Sequence, residues 1–223
     1  MEATIYIADQ RGCSNKQKER LWSTFNYEDF YHPDKEPFGA LTQLNEFHFF
    51  DGHQVNHWAG ADTYQLIIPL HGELKLQCQN WEHILTIGEM ACISVDKPCG
   101  LTISTADKEE KFGAFIQLAI QSEQALAFDF ERLALPVDKI KNRMIALTGQ
   151  YYPFTFYMGA FSGRSEFRLA CKQALADAFV YCLEGAFEVE GRLLYAGDGL
   201  ALKQLAGLDI ECLSQAGMLL MVE

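Results

Sequence analysis

An all-β chain built from two barrels is what this sequence predicts, on three observations. The first is a pattern used twice: Leu70-His71-Gly72-Glu73-Leu74 followed by Leu85-Thr86-Ile87-Gly88-Glu89-Met90, and Leu183-Glu184-Gly185-Ala186-Phe187 followed by Leu194-Tyr195-Ala196-Gly197-Asp198-Gly199. Each copy reads as strand, glycine turn, strand, and a second tight turn marked by Gly-Glu or Gly-Asp. The second is the regular recurrence of short β-rich runs between turn signals over most of the chain. The third is composition, since 223 residues with 49% hydrophobic and 13% aromatic content can fill two sizeable cores.

Taken in order, the runs 40–50, 64–69, 73–78, 83–87, 91–95, 101–105 and 112–120 predict the strands of a first barrel spanning 1–120. Residues 15–22 and 121–135 interrupt the pattern. In the second interruption Ser122 is placed to cap, and Leu126, Phe130 and Leu133 recur at helical spacing before Pro136. That spacing predicts a short connecting helix within a linker, 121–141. A second barrel over 142–223 follows from the runs 143–147, 154–161, 178–183, 186–189, 200–203, 208–213 and 218–222.

Eighteen basic against thirty acidic residues leave a net charge of −12, which repels nucleic-acid phosphates and anionic membrane surfaces alike. No basic leader precedes an apolar run at the N-terminus and no stretch approaches the length of a membrane span, so the expected location is the cytoplasm. The seven cysteines are scattered without a Cys-x-x-Cys pair, and several sit inside apolar runs, which reads as small hydrophobes in a reducing compartment. Neither Ser162-Gly163 nor Cys171 has a histidine in its half of the chain, and no Gly-x-Ser-x-Gly elbow or glycine-rich phosphate loop is present in the sequence.

Several segments together resemble a known family. Ile5-Tyr6-Ile7, Arg11-Gly12, Trp22-Ser23-Thr24-Phe25-Asn26-Tyr27, Phe30-Tyr31-His32-Pro33, Phe38-Gly39-Ala40-Leu41 and Leu44-Asn45 are similar to the N-terminal signature of the pirins. The stretch 178–185, Val189-Glu190-Gly191 and 196–202 are similar to the C-terminal pirin domain. The resemblance covers nearly the whole chain and implies two cupin-type, jelly-roll barrels. It also implies a place to look for chemistry. Pirins that act as quercetin dioxygenases carry Gly-x5-His-x-His-x3-Glu in the first barrel and a His-x-Glu after its second glycine turn, and these hold iron or another divalent metal. Counted from Gly52 and from Gly72, the two His positions fall on Trp58 and Gly60 and the first Glu position on Tyr64; counted on from Gly88, the third His and the later Glu fall on Leu101 and Ile103. None of these can ligate a metal as the motif requires, and even second-shell changes cost such sites about 10- to 100-fold.

No resident metal or cofactor is therefore expected. The weaker alternative is a relocated site built on His53 and His57, with His48 or Asp62. All six histidines lie at or before His83, so the second barrel has no imidazole. Trp58, Tyr64, His57 and Gln117 are candidates to line an apolar pocket in the first barrel, against the alternative that the aromatics plug it. Tyr157, Arg168 and Tyr181 are weaker candidates in the second. The function expected is a non-catalytic, pirin-like bicupin that binds a small molecule or a protein partner. The alternative is a cupin-type enzyme, either a quercetin dioxygenase with a relocated metal or a metal-free isomerase using Tyr64 and His57. Exposed sheet edges allow a homodimer.

Overall fold

A computed structural model describes residues 2–78, 81–136, 139–149, 151–170 and 176–223. Strands dominate these residues, and their packing divides the chain into one unit of 12–135 and another of 1–11 with 136–223.

In the unit 12–135 a seven-stranded sheet runs in the order Asp129–Ala134, Glu89–Val95, Thr63–His71, Phe112–Gln121, Leu41–Phe50, Glu19–Ser23 and Gly12–Lys16. It faces a four-stranded sheet ordered Val55–Ala59, Cys99–Thr105, Leu74–Cys78 and Trp81–Leu85. All pairings are antiparallel. Period-two alternation decides what lies between the sheets. Phe47 and Phe49 from one strand, Phe115 from its neighbour, and Leu74, Leu101 and Ile103 from the opposing sheet share one buried cluster. The strand Val55–Ala59, which sequence reading passed over, obeys the same rule: Val55, His57 and Ala59 are buried while Asn56 and Trp58 face out.

Among the described residues of 121–141 the predicted connecting helix is absent. Ser122 does accept from the Gln124 N–H (3.1 Å), but the chain then ties its Leu126 N–H to the Asp62 carboxylate (2.9 Å) and continues as the strand Asp129–Ala134 against Glu89–Val95. An open sheet edge offers that segment a full ladder of backbone partners, and Phe130 gains a ring stacked on His83, with centroids 3.9 Å apart. Those tertiary contacts outweigh helical spacing, which is a weak preference by itself.

The other unit pairs a six-stranded sheet, ordered Glu2–Tyr6, Gly199–Leu205, Ala176–Glu184, Ala216–Val222, Phe156–Ser162 and Ile145–Ala146, with a four-stranded sheet of Glu166–Ala170, Gly207–Cys212, Ala186–Val189 and Arg192–Tyr195. The first strand of the chain thus belongs with residues 136–223, a grouping that differs from the contiguous division expected from sequence. A buried carboxylate fastens it. Asp198 accepts from the Ala8 N–H through Oδ1 (2.7 Å) and from the Tyr195 N–H through Oδ2 (2.8 Å).

The duplicated glycine pattern has a common backbone cause. Gly72 and Gly185 sit between corresponding strands at φ +77° and +87°, and Gly88 and Gly197 both adopt φ +88°, a region that side chains rarely enter. Among the described residues Cys78, Cys92, Cys99, Cys182 and Cys212 are buried free thiols, while Cys171 lies outside them. Burial, with the Asp198 charge next in effect, pushes the Cys182 thiol up to about 12, so it behaves as a small hydrophobe.

Replacing Asp198 by Ala strips two backbone N–H groups of their acceptor and lowers unfolding free energy by about 2 kcal/mol, whereas Asn, which keeps one acceptor oxygen, loses about half as much. Urea denaturation at unchanged m-value measures both.

Candidate functional site

The inward positions at one end of the first barrel are polar, and they form a single hydrogen-bonded chain. The strands Leu41–Phe50, Thr63–His71 and Phe112–Gln121 contribute Gln43 and Asn45, Thr63 and Gln65, and Gln117; the strand Val55–Ala59 contributes His57. Asn45, His57, Gln65 and Gln117 are each at most 2% exposed.

The polarity of this chain is fixed at one end. Thr63 Oγ1 lies 2.8 Å from the Gly60 carbonyl, which can only accept, so the hydroxyl proton goes there. The Gln65 atom 2.9 Å from that hydroxyl must then be the amide nitrogen, which turns Gln65 Oε1 toward His57 Nε2 (3.2 Å) and Gln117 (2.8 Å). His57 therefore carries its proton on Nε2. Its Nδ1 accepts from the Tyr27 hydroxyl at 3.2 Å. Gln117 Nε2 also donates to Gln43 Oε1 (3.0 Å), and Gln117 Oε1 accepts from Asn45 Nδ2 (2.8 Å). Asn45 Oδ1 is left buried with no donor.

Desolvation pushes the His57 pKa down to about 4, the Gln65 hydrogen bond opposing it, so the imidazole is neutral at physiological pH. Burial, reinforced by the charges of Glu28 and Glu19, raises the Tyr27 phenol well above its ordinary value. Beside Tyr27 opens a cavity of about 440 Å³, bounded by the strand residues Gly12, Cys13, Ser14 and Asn15, by Leu21 and Ser23 of the neighbouring strand, and by the turn from Tyr27 to Phe30.

Of the four pocket candidates read from sequence, the structure brings His57 and Gln117 together through Gln65 and separates the other two. Trp58 is 66% exposed, because inward His57 sends its neighbour outward, and its ring lies over Gly100. Tyr64 precedes inward Gln65 and so lies on the opposite face of its sheet, beside Ile120 and Ser94 in the ladder. The counted ligand positions Leu101 and Ile103 do point inward; both are 0% exposed, and Leu101 stands directly across from His57. Gly60 contributes only its carbonyl.

The relocated set is dispersed among separate partners. His53 Nε2 lies 3.4 Å from Glu19, His48 Nε2 is 2.9 Å from Glu46, and Asp62 holds the Leu126 N–H. Among the described residues no group of three or more His, Cys, Asp or Glu side chains could hold a metal ion. One imidazole with both nitrogens engaged, four amides and a phenol do not fit a first-row divalent ion, which takes imidazole, thiolate or carboxylate donors. Nor do the second-barrel candidates converge. Tyr157 donates to Glu223 (2.8 Å), Tyr181 accepts from Arg11 (2.9 Å), and Arg168 lies exposed beside Asp209 (3.4 Å).

Sequence reading missed Tyr27, Gln43, Asn45 and Gln65. The last three carried a signal: each is an amide at the period-two position of core residues on its strand. Tyr27 lies in a turn, and nothing in the local sequence aims it at His57.

Two facing antiparallel sheets in each of two units define a bicupin. Residues 153–221 match the family described as the quercetinase C-terminal cupin domain. Bacterial pirin YhhW from Escherichia coli, solved with nickel(II), is similar over 99% of this chain and 98% of its own at 17% identity and TM-score 0.81. YhaK from Escherichia coli is similar at 15% identity and TM-score 0.71, over 92% of this chain and 93% of its own. Quercetin 2,3-dioxygenase from Acinetobacter baumannii is similar at 14% identity and TM-score 0.73, over 99% of this chain and 78% of its own. No curated protein matches the chain. In fold, the chain is a pirin-like bicupin. No helix among the described residues is long and apolar enough to cross a membrane.

His57 gives the fold a pH signature. Its unfolded-state pKa near 6.5 lies above the folded value of about 4, so between those limits the unfolded chain binds the extra proton and stability falls as pH falls. The slope from this group approaches about 1.4 kcal/mol per pH unit. Urea titrations at pH steps across that window show a shallower fall for His57→Gln than for the wild type.

Proposed function

We propose that the chain is a non-catalytic pirin-like bicupin whose first barrel binds a small molecule in the cavity beside Tyr27 and keeps no resident metal. The observation that carries this reading is the amide and imidazole chain inside the first barrel, whose donors and acceptors are largely committed to one another and which reaches the cavity through Tyr27. A cavity of about 440 Å³ is within the range that small-molecule sites occupy.

Proton affinities support the non-catalytic reading. A general acid or base works best with a pKa near the operating pH, whereas His57 is held near 4 and Tyr27 well above its ordinary value. Both groups are instead suited to a fixed hydrogen-bond pattern. They recognise; they do not shuttle protons.

A second reading is favoured by the quercetinase match of residues 153–221 and the likeness to quercetin 2,3-dioxygenase. It makes the chain a cupin-type enzyme, either through a metal rebuilt on His53 and His57 or through a metal-free pair. In the metal-free case Tyr27 takes the place expected of Tyr64, since Tyr27 is the phenol in contact with His57.

Elemental mass spectrometry of the purified protein separates these. The proposed function predicts well under one equivalent of iron, nickel, copper or zinc, and no thermal shift on adding Fe²⁺, Ni²⁺ or Zn²⁺. Stoichiometric metal that is lost in His57→Ala, with chelator-sensitive oxygen uptake on quercetin, establishes the dioxygenase instead. Turnover that survives chelation and fails in His57→Ala establishes the metal-free enzyme.

A further inference from the structure

The cavity beside Tyr27 lies along an open sheet edge. Gly12–Lys16 is the outermost strand of the seven-stranded sheet and is paired on one side only, with Glu19–Ser23. Which of its backbone groups are free follows from the ladder. Lys18 C=O accepts from the Phe50 N–H (2.9 Å) and Leu44 C=O from the Thr24 N–H (3.0 Å), so the even-numbered residues from 18 to 24 turn their backbone groups toward Leu41–Phe50. Glu19, Leu21 and Ser23 therefore turn theirs the other way, to Lys16, Ser14 and Gly12 directly opposite. Cys13 and Asn15 fall between these pairs. Their N–H and C=O groups, two donors and two acceptors, point out from the sheet, and among the described residues no protein group bonds to them.

Four consecutive residues of this strand, Gly12 to Asn15, line the cavity. Successive side chains of a strand point to opposite faces, so all four reach one space only along the backbone edge. Leu21 and Ser23 form the inner side of that space; Leu21 belongs to the barrel core, and Ser23, two residues on, shares its face. Ser23 is 2% exposed, and its hydroxyl makes no hydrogen bond among the described residues. On the far side stands the turn Tyr27–Phe30, closed by reciprocal backbone hydrogen bonds (3.1 and 2.9 Å). The Phe30 ring rests on Gly12, in the place a Cβ would need, and ends the groove there. Cys13 and Asn15 stay exposed beyond it.

We infer that the cavity takes a short peptide in extended form, which adds an antiparallel strand beside Gly12–Lys16. Two of its residues exchange backbone hydrogen bonds with Cys13 and Asn15. The residue between them stands opposite Ser14, so its side chain enters the space over Leu21 and Ser23, where a group that hydrogen-bonds satisfies the Ser23 hydroxyl. A donor and an acceptor recur along this edge every second residue, and a peptide backbone repeats both at the same period. The turn Tyr27–Phe30 selects a free peptide over a second copy of this chain: a folded copy would bring its own turn into the space that this one already walls. The inference rests on the small-molecule reading of the first barrel and names the ligand class that reading leaves open.

The test is calorimetric titration of the intact protein at neutral pH with a blocked pentapeptide of alternating valine and threonine, valine first, and with 2-phenylethanol, which has an apolar body and a hydroxyl but no peptide group. The pentapeptide binds; N-methylation at its two threonines, whose N–H groups face away from the edge, leaves the affinity within about twofold, and N-methylation throughout weakens it at least about tenfold. Cys13→Pro removes an outward N–H without breaking the ladder and weakens the peptide about fivefold, as does Ser23→Ala, whereas Cys13→Ala binds like the wild type. Near-ultraviolet circular dichroism confirms that the variants are folded. A pentapeptide that binds equally well when methylated throughout, or equally well to Cys13→Pro and Ser23→Ala, is held elsewhere and overturns the inference. So does a dimer in sedimentation that Cys13→Pro dissociates, which gives the edge to a second copy. Failure of the peptide beside 2-phenylethanol binding that weakens in Ser23→Ala overturns the inference and leaves a small-molecule site standing. No binding of either probe at about 5 mM overturns the inference and the small-molecule reading together.

Discussion

One backbone carbonyl, that of Gly60, orders the interior of the first barrel. It can only accept, so it claims the Thr63 proton, and every amide orientation from Gln65 to Asn45 follows from that one commitment. Buried polar groups are stable in numbers only when each finds a partner, and a chain with a fixed direction is the economical way to satisfy a row of amides. The same commitment sets the tautomer of His57 and turns the Tyr27 hydroxyl inward. What the barrel shows to its cavity is therefore decided several residues away, at a glycine just beyond the end of a strand.

The two units apply one pattern to different ends. Both place glycines at positive φ in corresponding turns and both close an apolar core between a large and a small sheet. Both units bury thiols among aliphatic residues, Cys78 and Cys99 in the first and Cys182 and Cys212 in the second. The first buries amides and one imidazole as well, and these need partners that thiols do not. Polar specialisation of one barrel is built on a scaffold that does not require it.

Much of this was legible in the sequence, and the failures have physical causes. Alternating runs and doubled glycine turns read correctly as two β-barrels because period-two burial is written directly in the residue order. The pocket candidates divided at Trp58 because a family motif counts positions, whereas a strand sorts faces: a count that lands on Trp58 lands one residue from inward His57, and one residue is a whole face. Tyr64 fell beside Gln65 by the same step. Residues 121–135 misled because helical spacing there is local, while the edge of Glu89–Val95 that receives Asp129–Ala134 is distant in sequence. Tyr27 was invisible since a turn has no periodicity from which a direction can be read.

The first strand, Glu2–Tyr6, takes its place against Gly199–Leu205. On a ribosome adding about 5 to 20 residues each second, this strand waits on the order of ten to forty seconds for the edge it will join. Through that interval Ile5 and Ile7, which stay more than two-fifths exposed even in the finished protein, travel with an unpaired backbone. The unit that draws on both flanks is thus completed after the segment 12–135, which is able to close while those flanks are still apart.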